Sequence, residues 1–339
     1  MKRPTIADIA RRAGVSKVAV SYALNGQPGV SETTRATIMA IAEEIGWRPN
    51  SAARALNGAR ARSIGLALCR PARILGVEPF FMELISGIQD ELSAQSYALM
   101  FQVVRDHTEE MDLYRRWWGE GRIDGAILVD LHLSDPRVAV TQALRMPAVV
   151  IGHPSEAGSL TPVWSDDGAA VRETVRYLAA LGHRRLARVA GLPRLVHTVL
   201  RDRAFTEVCE ELGLDGHVIV HTDYTGEQGA RATRRLLSAP GRPSAVVYDN
   251  DIMAVAGLSV AQELRLDVPG DLSVVAWDDS PLSQVVRPPL TALSRDIPAY
   301  GGHAARALMS LIAGERVAGF EDAAPQLTPR GSTGAPARA

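Results

Sequence analysis

The sequence predicts an α/β protein with a small helical head and a body of two doubly wound parallel-sheet subdomains. Residues 5–25 have the apolar spacing of two short helices, whereas from Ser63 onward short apolar runs alternate with amphipathic helices. Strands that are apolar throughout and separated by helices indicate parallel sheets covered on both faces. Eight such runs in 339 residues fit two subdomains better than one.

The head begins with two helices joined by a tight turn at Ala13-Gly14-Val15, and Ser16 opens the second helix. Apolar residues at helical spacing give each helix a buried face. The outward face of the second helix offers Lys17, Val18, Ser21, Tyr22 and Asn25. A supported helix with short polar and basic side chains outward has the geometry that enters the major groove of DNA.

A third helix is predicted from Ser31, as its N-cap, to about Ile45. After Arg48-Pro49, Asn50 can cap a short helical segment over residues 51–57. Such a segment is too short to be stable alone, so it either orders against DNA and its copy in a dimer or is a plain linker. The predicted boundaries are 1–48 for the head and 49–62 for this hinge helix and linker.

The body is predicted over residues 63–322. The predicted strands are Ser63–Cys69, Tyr97–Val104, Gly125–Val129, Ala148–Gly152, Leu186–Ala190, Val218–His221, Ala245–Tyr248 and Leu272–Trp277. We expect subdomain one to hold residues 63–164 and 291–322, and subdomain two residues 165–290. The tail 323–339 is rich in Pro, Ala, Gly and Thr and is predicted to be disordered.

The net charge of −1 conceals an asymmetry between the two ends of the chain. Residues 1–62 carry ten basic and four acidic side chains, and the remainder carries 27 and 34. A basic head on an acidic body suggests a surface for phosphates, although a solvated basic helix surface also explains it. Two distant cysteines, no apolar signal-peptide run and no long apolar run favour a cytoplasmic protein.

Specific motifs then resemble the lactose-repressor-type (LacI) family of transcription regulators. The motifs are Thr5-Ile6-x-Asp8-Ile9-Ala10-x-x-Ala13-Gly14-Val15-Ser16, Val20-Ser21-x-x-Leu24-Asn25, Arg48-Pro49-Asn50-x-x-Ala53-Arg54-x-Leu56, Ser165-Asp166-Asp167, Leu181-Gly182-His183-Arg184-Arg185, Asn250-Asp251-x-x-Ala254, Val268-Pro269-x-Asp271-Leu272-Ser273-Val274 and Trp277-Asp278-Asp279. They occur in collinear order over roughly residues 3–315. The resemblance implies a homodimer on a pseudo-palindromic DNA operator and a periplasmic-binding-protein-like body whose cleft takes a small effector.

The resemblance also implies roles for residues of the head. Lys17, Val18 and Tyr22 occupy base-reading positions, and Leu56 matches an apolar wedge for the minor groove. Tyr22 stands where many members carry Arg, which leaves the operator sequence open; packing against the third helix is the alternative for Tyr22, and packing under the body for Leu56. The remaining DNA-contacting candidates are Thr5, Ser16, Ser21, Asn25, Asn50, Ala53 and Arg54, with Ser16, Ser21 and Asn25 assigned to phosphates.

In the body, Arg201 matches a family arginine that reaches a polar effector group, and Asp278 ends an apolar strand. Together they make a polyol clamp, because buried charges need partners. Asn250 adds a donor and an acceptor, and His197 lies one helical turn before Arg201. The remaining candidates are Phe80, Phe81 and Tyr224 as walls, for which core packing is the alternative, and Asp166, as a ligand group or a helix cap.

These observations predict an effector-controlled DNA-binding regulator, a repressor of carbohydrate-related genes whose sugar effector releases DNA. A solute-binding protein, or a sugar or nucleotide enzyme with a DNA-binding appendage, is the alternative. The motifs GxxxxGK[ST], HExxH and GxSxG do not occur. We therefore assign no catalytic residue, no cofactor and no metal.

Overall fold

The computed structural model describes residues 4–47, 60–70, 78–214 and 216–337. The chain divides into two compact units, residues 1–61 and 62–339. The predicted hinge residues Asn50, Ala53, Arg54 and Leu56 lie outside the described residues. Within the described residues, no helix combines the length and apolar character needed to cross a lipid bilayer.

The head is a bundle of three helices around a small apolar core. They are α1 (Ile6–Ala13), α2 (Lys17–Leu24) and α3 (Glu32–Glu44). Gly14 ends α1 with a φ of 66°, the left-handed conformation expected for the tight turn. Ser16 and Ser31 cap the next two helices by accepting hydrogen bonds from Ala19 N and Thr34 N. The core residues are Ile9, Ala10, Val20, Ala23, Ile38 and Ala42.

The body contains two six-stranded sheets. The first has the order β11-β5-β4-β3-β1-β2, and the second β12-β10-β9-β8-β6-β7. All pairs are parallel except β10 with β12. The strands are β1 (Ser63–Leu68), β2 (Ala98–Val103), β3 (Gly125–Leu128), β4 (Ala148–Ile151), β5 (Thr161–Ser165), β6 (Leu186–Ala190), β7 (Val218–His221), β8 (Ala245–Tyr248), β9 (Ser273–Trp277), β10 (Thr291–Ser294), β11 (Phe320–Asp322) and β12 (Gln326–Thr328).

Helices cover both faces of each sheet, so the α/β class and the eight predicted strands are confirmed. The helices are α4 (Pro79–Ala94), α5 (His107–Gly119), α6 (Pro136–Ala143), α7 (Asp167–Ala180), α8 (Val196–Glu211), α9 (Gly226–Leu237), α10 (Asp251–Glu263), α11 (Pro281–Val285) and α12 (Ile297–Ala313). α12 packs against α4 so closely that a Cβ on Gly87 would lie 1.8 Å from the carbonyl oxygen of Pro298.

The chain passes between the two sheets three times, whereas the sequence predicted two passages. It leaves the first sheet after β5, returns to it after β10, and crosses again between β11 and β12. The prediction that residues 291–294 belong to subdomain one is therefore wrong, because β10 pairs with β9 in the second sheet.

The prediction of a disordered tail is wrong for residues 323–337. β12 pairs with β10, and Ser332 is fully buried, where its hydroxyl accepts from Thr291 N and donates to the carbonyl of Val274. His183 contacts the carbonyl oxygen of Gly334 at 3.0 Å. The edge of the second sheet thus supplies hydrogen-bond partners for backbone groups of the tail, although the composition of the tail alone suggested disorder.

Candidate functional site

The outward face of α2 carries the side chains that the sequence assigned to base reading. Val18 is 59% exposed and Tyr22 is 40% exposed. Lys17, which lies between the cap residue Ser16 and Val18, is also exposed. Val20 and Ala23 on the opposite face are buried in the core of the head. α2 therefore presents basic, apolar and aromatic side chains to solvent, while its opposite face is packed in the core of the head.

α3 holds α2 in place through Arg35. The Arg35 guanidinium donates to the carbonyl oxygens of Ala23 at 2.6 Å and Gln27 at 2.8 Å, at the C-terminal end of α2. A cation at the C-terminus of a helix satisfies its last carbonyls and complements its dipole. The ring of Tyr22 lies beside Gly29, with its Cδ2 3.5 Å from where a Cβ would stand there. Tyr22 thus packs along the turn after α2 and still exposes much of its ring.

Other predicted DNA-contacting residues also have structural roles. The hydroxyl and the backbone N–H of Thr5 both donate to Asp8, and these hydrogen bonds hold the pKa of Asp8 below its ordinary value. The Asn25 amide donates to Ser21 Oγ at 3.3 Å. These side chains lie at helix ends and remain partly or fully exposed, as contacts to phosphates require.

The body contains a cleft at the carboxyl ends of strands from both sheets, and this cleft is partly open to solvent. Ligands of open α/β sheets bind at this edge. Polar residues within two positions of the ends of β1, β3, β4, β5, β8, β9 and β10 reach it: Arg70, Asp130, His153, Asp167, Asp249, Asp278 and Arg295.

Six of the eight predicted effector residues line this cleft: Phe80, Phe81, His197, Arg201, Tyr224 and Asp278. Asp166 and Asn250 lie outside its lining. Asp166 caps α7 by accepting from Ala169 N, and Asn250 caps α10 by accepting from Met253 N while donating to the carbonyl of Tyr224. The helix-cap alternative therefore describes Asp166, and its neighbour Asp167 faces the cleft instead.

Arginine–aspartate pairs dominate the cleft. Arg70 pairs with Asp130 at 2.9 Å, and Arg201 with Asp167 at 2.6 Å. Arg201 also lies 3.5 Å from Asp249, and its Cζ stands 3.5 Å from the ring centroid of Trp277. Burial raises the pKa of the aspartates, but the nearby arginines outweigh it and leave the pKa of Asp130 and Asp167 below the ordinary value.

Aromatic side chains form the apolar walls. Phe80 and Phe81 meet edge to face with centroids 5.2 Å apart, and the Arg70 guanidinium lies 4.6 Å from the centroid of Tyr224. Tyr224 has a φ of 68°, and its ring covers Gly191 so closely that a Cβ there would stand 1.8 Å from Tyr224 Cζ. Such backbone strain in a bulky residue persists only where its surroundings impose it.

His197 is held as a neutral ring. Burial and the nearby Arg201 charge lower the pKa of His197 to about 4, and its Nε2 lies 2.7 Å from the hydroxyl of Tyr224. His197 can therefore exchange hydrogen bonds with an uncharged hydroxyl without adding charge to the cleft.

Two carboxyl groups in the cleft are incompletely paired. Glu78 is 7% exposed, and its Oε2 has no hydrogen-bond partner among the residues that the structure describes. Asp278 Oδ1 also lacks a hydrogen bond and lies 3.6 Å from Arg295. Burial raises the pKa of Glu78 to about 7 and that of Asp278 to about 6, despite the opposing arginine charges. Both groups are poised to accept donors from a ligand.

The sequence did not single out several cleft residues. The missed side chains with charge or large aromatic area are Arg70, Glu78, Asp130, Trp164, Asp167, Asp249, Arg295 and Tyr300. For Asp167 a signal existed, since it adjoins Asp166 at the predicted passage between subdomains. Across the four described segments, no cluster of three or more metal-ligating side chains occurs, and both cysteines are free.

We expect Glu78→Gln to stabilise the body relative to wild type by an amount that grows as pH rises. The folded-state pKa of about 7 exceeds the ordinary 4.5, so the folded protein retains a proton that the unfolded chain has lost. Stability therefore falls as pH rises between those values, by on the order of 3 kcal/mol. Arg70 opposes this shift, as does Asn250, whereas Asp130 and Asp278 reinforce it.

Calorimetry of the full chain between pH 5 and pH 8 measures this effect. The difference in melting temperature between Glu78→Gln and wild type should grow toward pH 8, and Asp90→Asn on the exposed side of α4 should show no such trend. A pH-independent difference for Glu78→Gln would contradict the shifted pKa.

Comparison with known proteins relates both units to one family. Residues 5–50 match the model described as bacterial regulatory proteins, lacI family, and residues 175–333 match a periplasmic binding protein-like domain. The HTH-type transcriptional regulator MalR of Streptomyces coelicolor is 34% identical over 344 residues, covering 97% of this chain and 96% of that protein.

Two solved structures extend the similarity. A CelR–cellobiose complex has 28% identity and a TM-score of 0.74, covering 97% of this chain and all of that one. A lac repressor dimer bound to operator and the anti-inducer ONPF has 26% identity and a TM-score of 0.86, covering 98% and 100%. With its helical head, its two-sheet body and these full-length matches, the chain belongs to the LacI family of bacterial transcriptional regulators.

Proposed function

We propose that this regulator is a homodimeric repressor of carbohydrate-related genes that a sugar in the cleft of the body releases from its operator. The single observation that carries the DNA-binding part is the outward face of α2, where Lys17, Val18 and Tyr22 stand exposed on a helix packed by its opposite face. Lys17 donates to guanine and Val18 contacts a thymine methyl in this proposal.

The chemistry of the cleft supports a sugar as effector. Hydroxyl groups need both donors and acceptors, and Arg201 and Asp278, which both line the cleft, supply one of each. Phe80 and Tyr224 offer apolar surface against which a ring can pack. The CelR relative is solved with cellobiose, which is consistent with this assignment.

The effector acts by its different affinity for two arrangements of the dimer on DNA, which is the only way a ligand shifts such an equilibrium. We expect operator affinity to fall when the sugar binds, and we expect no turnover of the sugar. A DNA-binding regulator acts where the chromosome is, so we propose a cytoplasmic location. Fluorescence anisotropy with palindromic oligonucleotides, with and without a panel of mono- and disaccharides, tests this function.

Operator binding should weaken steeply with salt. Contacts to DNA phosphates release counterions, so 6–10 such contacts would lower affinity on the order of 10³-fold or more between 50 and 200 mM salt. Lys17→Ala should in addition weaken the specific site by roughly 5- to 150-fold, about 1–3 kcal/mol, and reduce discrimination against random DNA.

The matched control is Arg231→Ala, which removes an exposed basic side chain of α9 in the body. It should leave operator affinity unchanged. Salt-independent binding, or equal effects of the two substitutions, would contradict the assignment of α2 as the recognition helix.

A further inference from the structure

A small side pocket off the main cleft is strongly acidic. It shares Glu78, Phe80 and Asp278 with the cleft, and its lining adds the carboxyl groups of Glu83 and Asp251. Its lining contains four carboxyl side chains and, among residues that the structure describes, no lysine or arginine. A pocket of one charge sign raises the local concentration of ligands of the opposite sign.

The ion pairs of the neighbouring cleft do not neutralise this pocket. Asp130 is bonded to Arg70, Asp167 to Arg201, and Asp249 to Arg188, the last by two hydrogen bonds of 2.7 and 2.8 Å. These pairs use three arginines for three aspartates. Glu78 remains as a surplus carboxyl group that is nine-tenths buried, and its Oε2 has no hydrogen-bond partner in the described part of the chain.

The other acids of the side pocket also lack a strong cationic partner. Asp251 is bonded to the hydroxyl of Ser280 and to the backbone N–H of Ile252. Among the described residues, Arg295 is the nearest cation to Asp278, at 3.6 Å and without a hydrogen bond to Oδ1, and Arg201 acts from farther away. A buried carboxylate without a partner is costly, so this arrangement favours a ligand that brings the missing positive donor.

We propose that the effector is an amino sugar, a polyhydroxy ring with a protonated primary amine, whose ammonium group binds against Glu78 and Asp278. This inference rests on the proposed function, because it assigns a charge to the effector of the same cleft. An ammonium carries three N–H donors, enough for both free carboxyl oxygens and one further acceptor. The ring would lie toward Arg201 and the aromatic walls, where its hydroxyl groups find partners.

The raised pKa values of Glu78 and Asp278 are those expected of buried carboxyl groups that lack a cation close by. Burial raises the pKa of Glu78 to about 7 and of Asp278 to about 6, although Arg70 and Arg295 oppose the rise. The acids around them, Asp130, Asp251 and Asp167, favour the protonated forms. A bound ammonium favours the charged forms instead, so binding should release protons near pH 6.5.

Isothermal titration of the full chain tests the proposal with matched probes. Glucosamine and its β-1,4-linked disaccharide are compared with glucose and cellobiose, and with the N-acetylated sugars. We expect the amines to bind at least about 10-fold more tightly than the neutral counterparts at pH 6.5, where the sugar amine is protonated, since a charge-assisted hydrogen bond is worth that much. Buffers of different ionisation enthalpy should reveal proton release for the amines alone.

Two variants separate the subsite from the cleft as a whole. Glu78→Gln should remove most of the amine preference, whereas Asp90→Asn, which deletes a carboxylate on the exposed side of α4, should retain it. Neutral sugars that bind as well as the amines, or an amine preference that survives Glu78→Gln, would overturn the ammonium subsite and leave the proposed function standing. If no sugar of the panel binds or changes operator affinity, both proposals fail.

Discussion

Replacing Arg201 with methionine is expected to destabilise the body by about 3–5 kcal/mol, the cost of removing one partner from a buried ion pair. The Arg201 guanidinium is almost fully buried, donates twice to Asp167 and also faces Asp249. Without it, the partners left to Asp167 among the described residues are the Ser165 hydroxyl at 3.1 Å and the Arg295 guanidinium at 3.9 Å. Calorimetry of the full chain should show the melting of the body lowered by on the order of 10 °C.

A double variant distinguishes unpaired charge from lost packing, because Arg201 also stacks on Trp277. Arg201→Met combined with Asp167→Asn removes both charges of the closest pair and should recover a substantial part of the lost stability. Arg176→Met is the matched control, since its pair with Glu211 is more than half exposed on both sides and is expected to contribute little. A body that melts normally with Arg201→Met alone would show that this network is not needed for folding.

The sequence predicted the framework of the fold because periodicity reports burial directly. Runs such as Ala148–Ile151 and Ala245–Tyr248 are apolar at every position, which only a strand covered on both faces requires. β11 and β12 are three residues each and mostly polar, so no period could reveal them. The third passage between the sheets was missed for the same reason.

Residues of the cleft were predicted from the sequence only where a family motif or a position at a strand end pointed to them. Arg201 and Asp278 were found through the resemblance and through the position of Asp278 at a strand end. Arg70, Asp130 and Asp249 also follow strands, but a charged residue after a strand is usually an exposed loop residue. Only the topology, which brings the carboxyl ends of both sheets together, identifies them as neighbours.

The adjacent residues Asp166 and Asp167 show where prediction of the site from the sequence ends. Both aspartates begin α7, and a sequence position alone does not say which one caps the helix and which one faces the cleft. Asp166 accepts from Ala169 N, and the next residue then points toward Arg201. The local choice is decided by a tertiary partner on α8, more than 30 residues away.

Asp278→Asn is expected to abolish the response to effector concentrations that just saturate wild type, while operator binding is retained. The substitution keeps the shape of the side chain but removes the negative charge that a hydroxyl or amine donor would meet. Loss of a hydrogen bond to a charged group should lower the affinity for the effector by about 10- to 100-fold. In wild type, the raised pKa of about 6 means that the charged acceptor is lost as pH falls from 7 to 5, so the response should weaken in the same direction.

Anisotropy of a labelled operator, titrated with the sugar that binds most tightly, measures this response at pH 5.5 and 7.5. Glu227→Gln, which neutralises an exposed carboxylate on α9 in the same subdomain, is the matched control and should respond as wild type does. Because Asp278 lies at the end of β9, far in sequence from α2, weakened operator binding without effector would instead indicate damage to the body. A fully responsive Asp278→Asn variant would show that the effector does not use this carboxylate, and the proposed polyol clamp would be wrong.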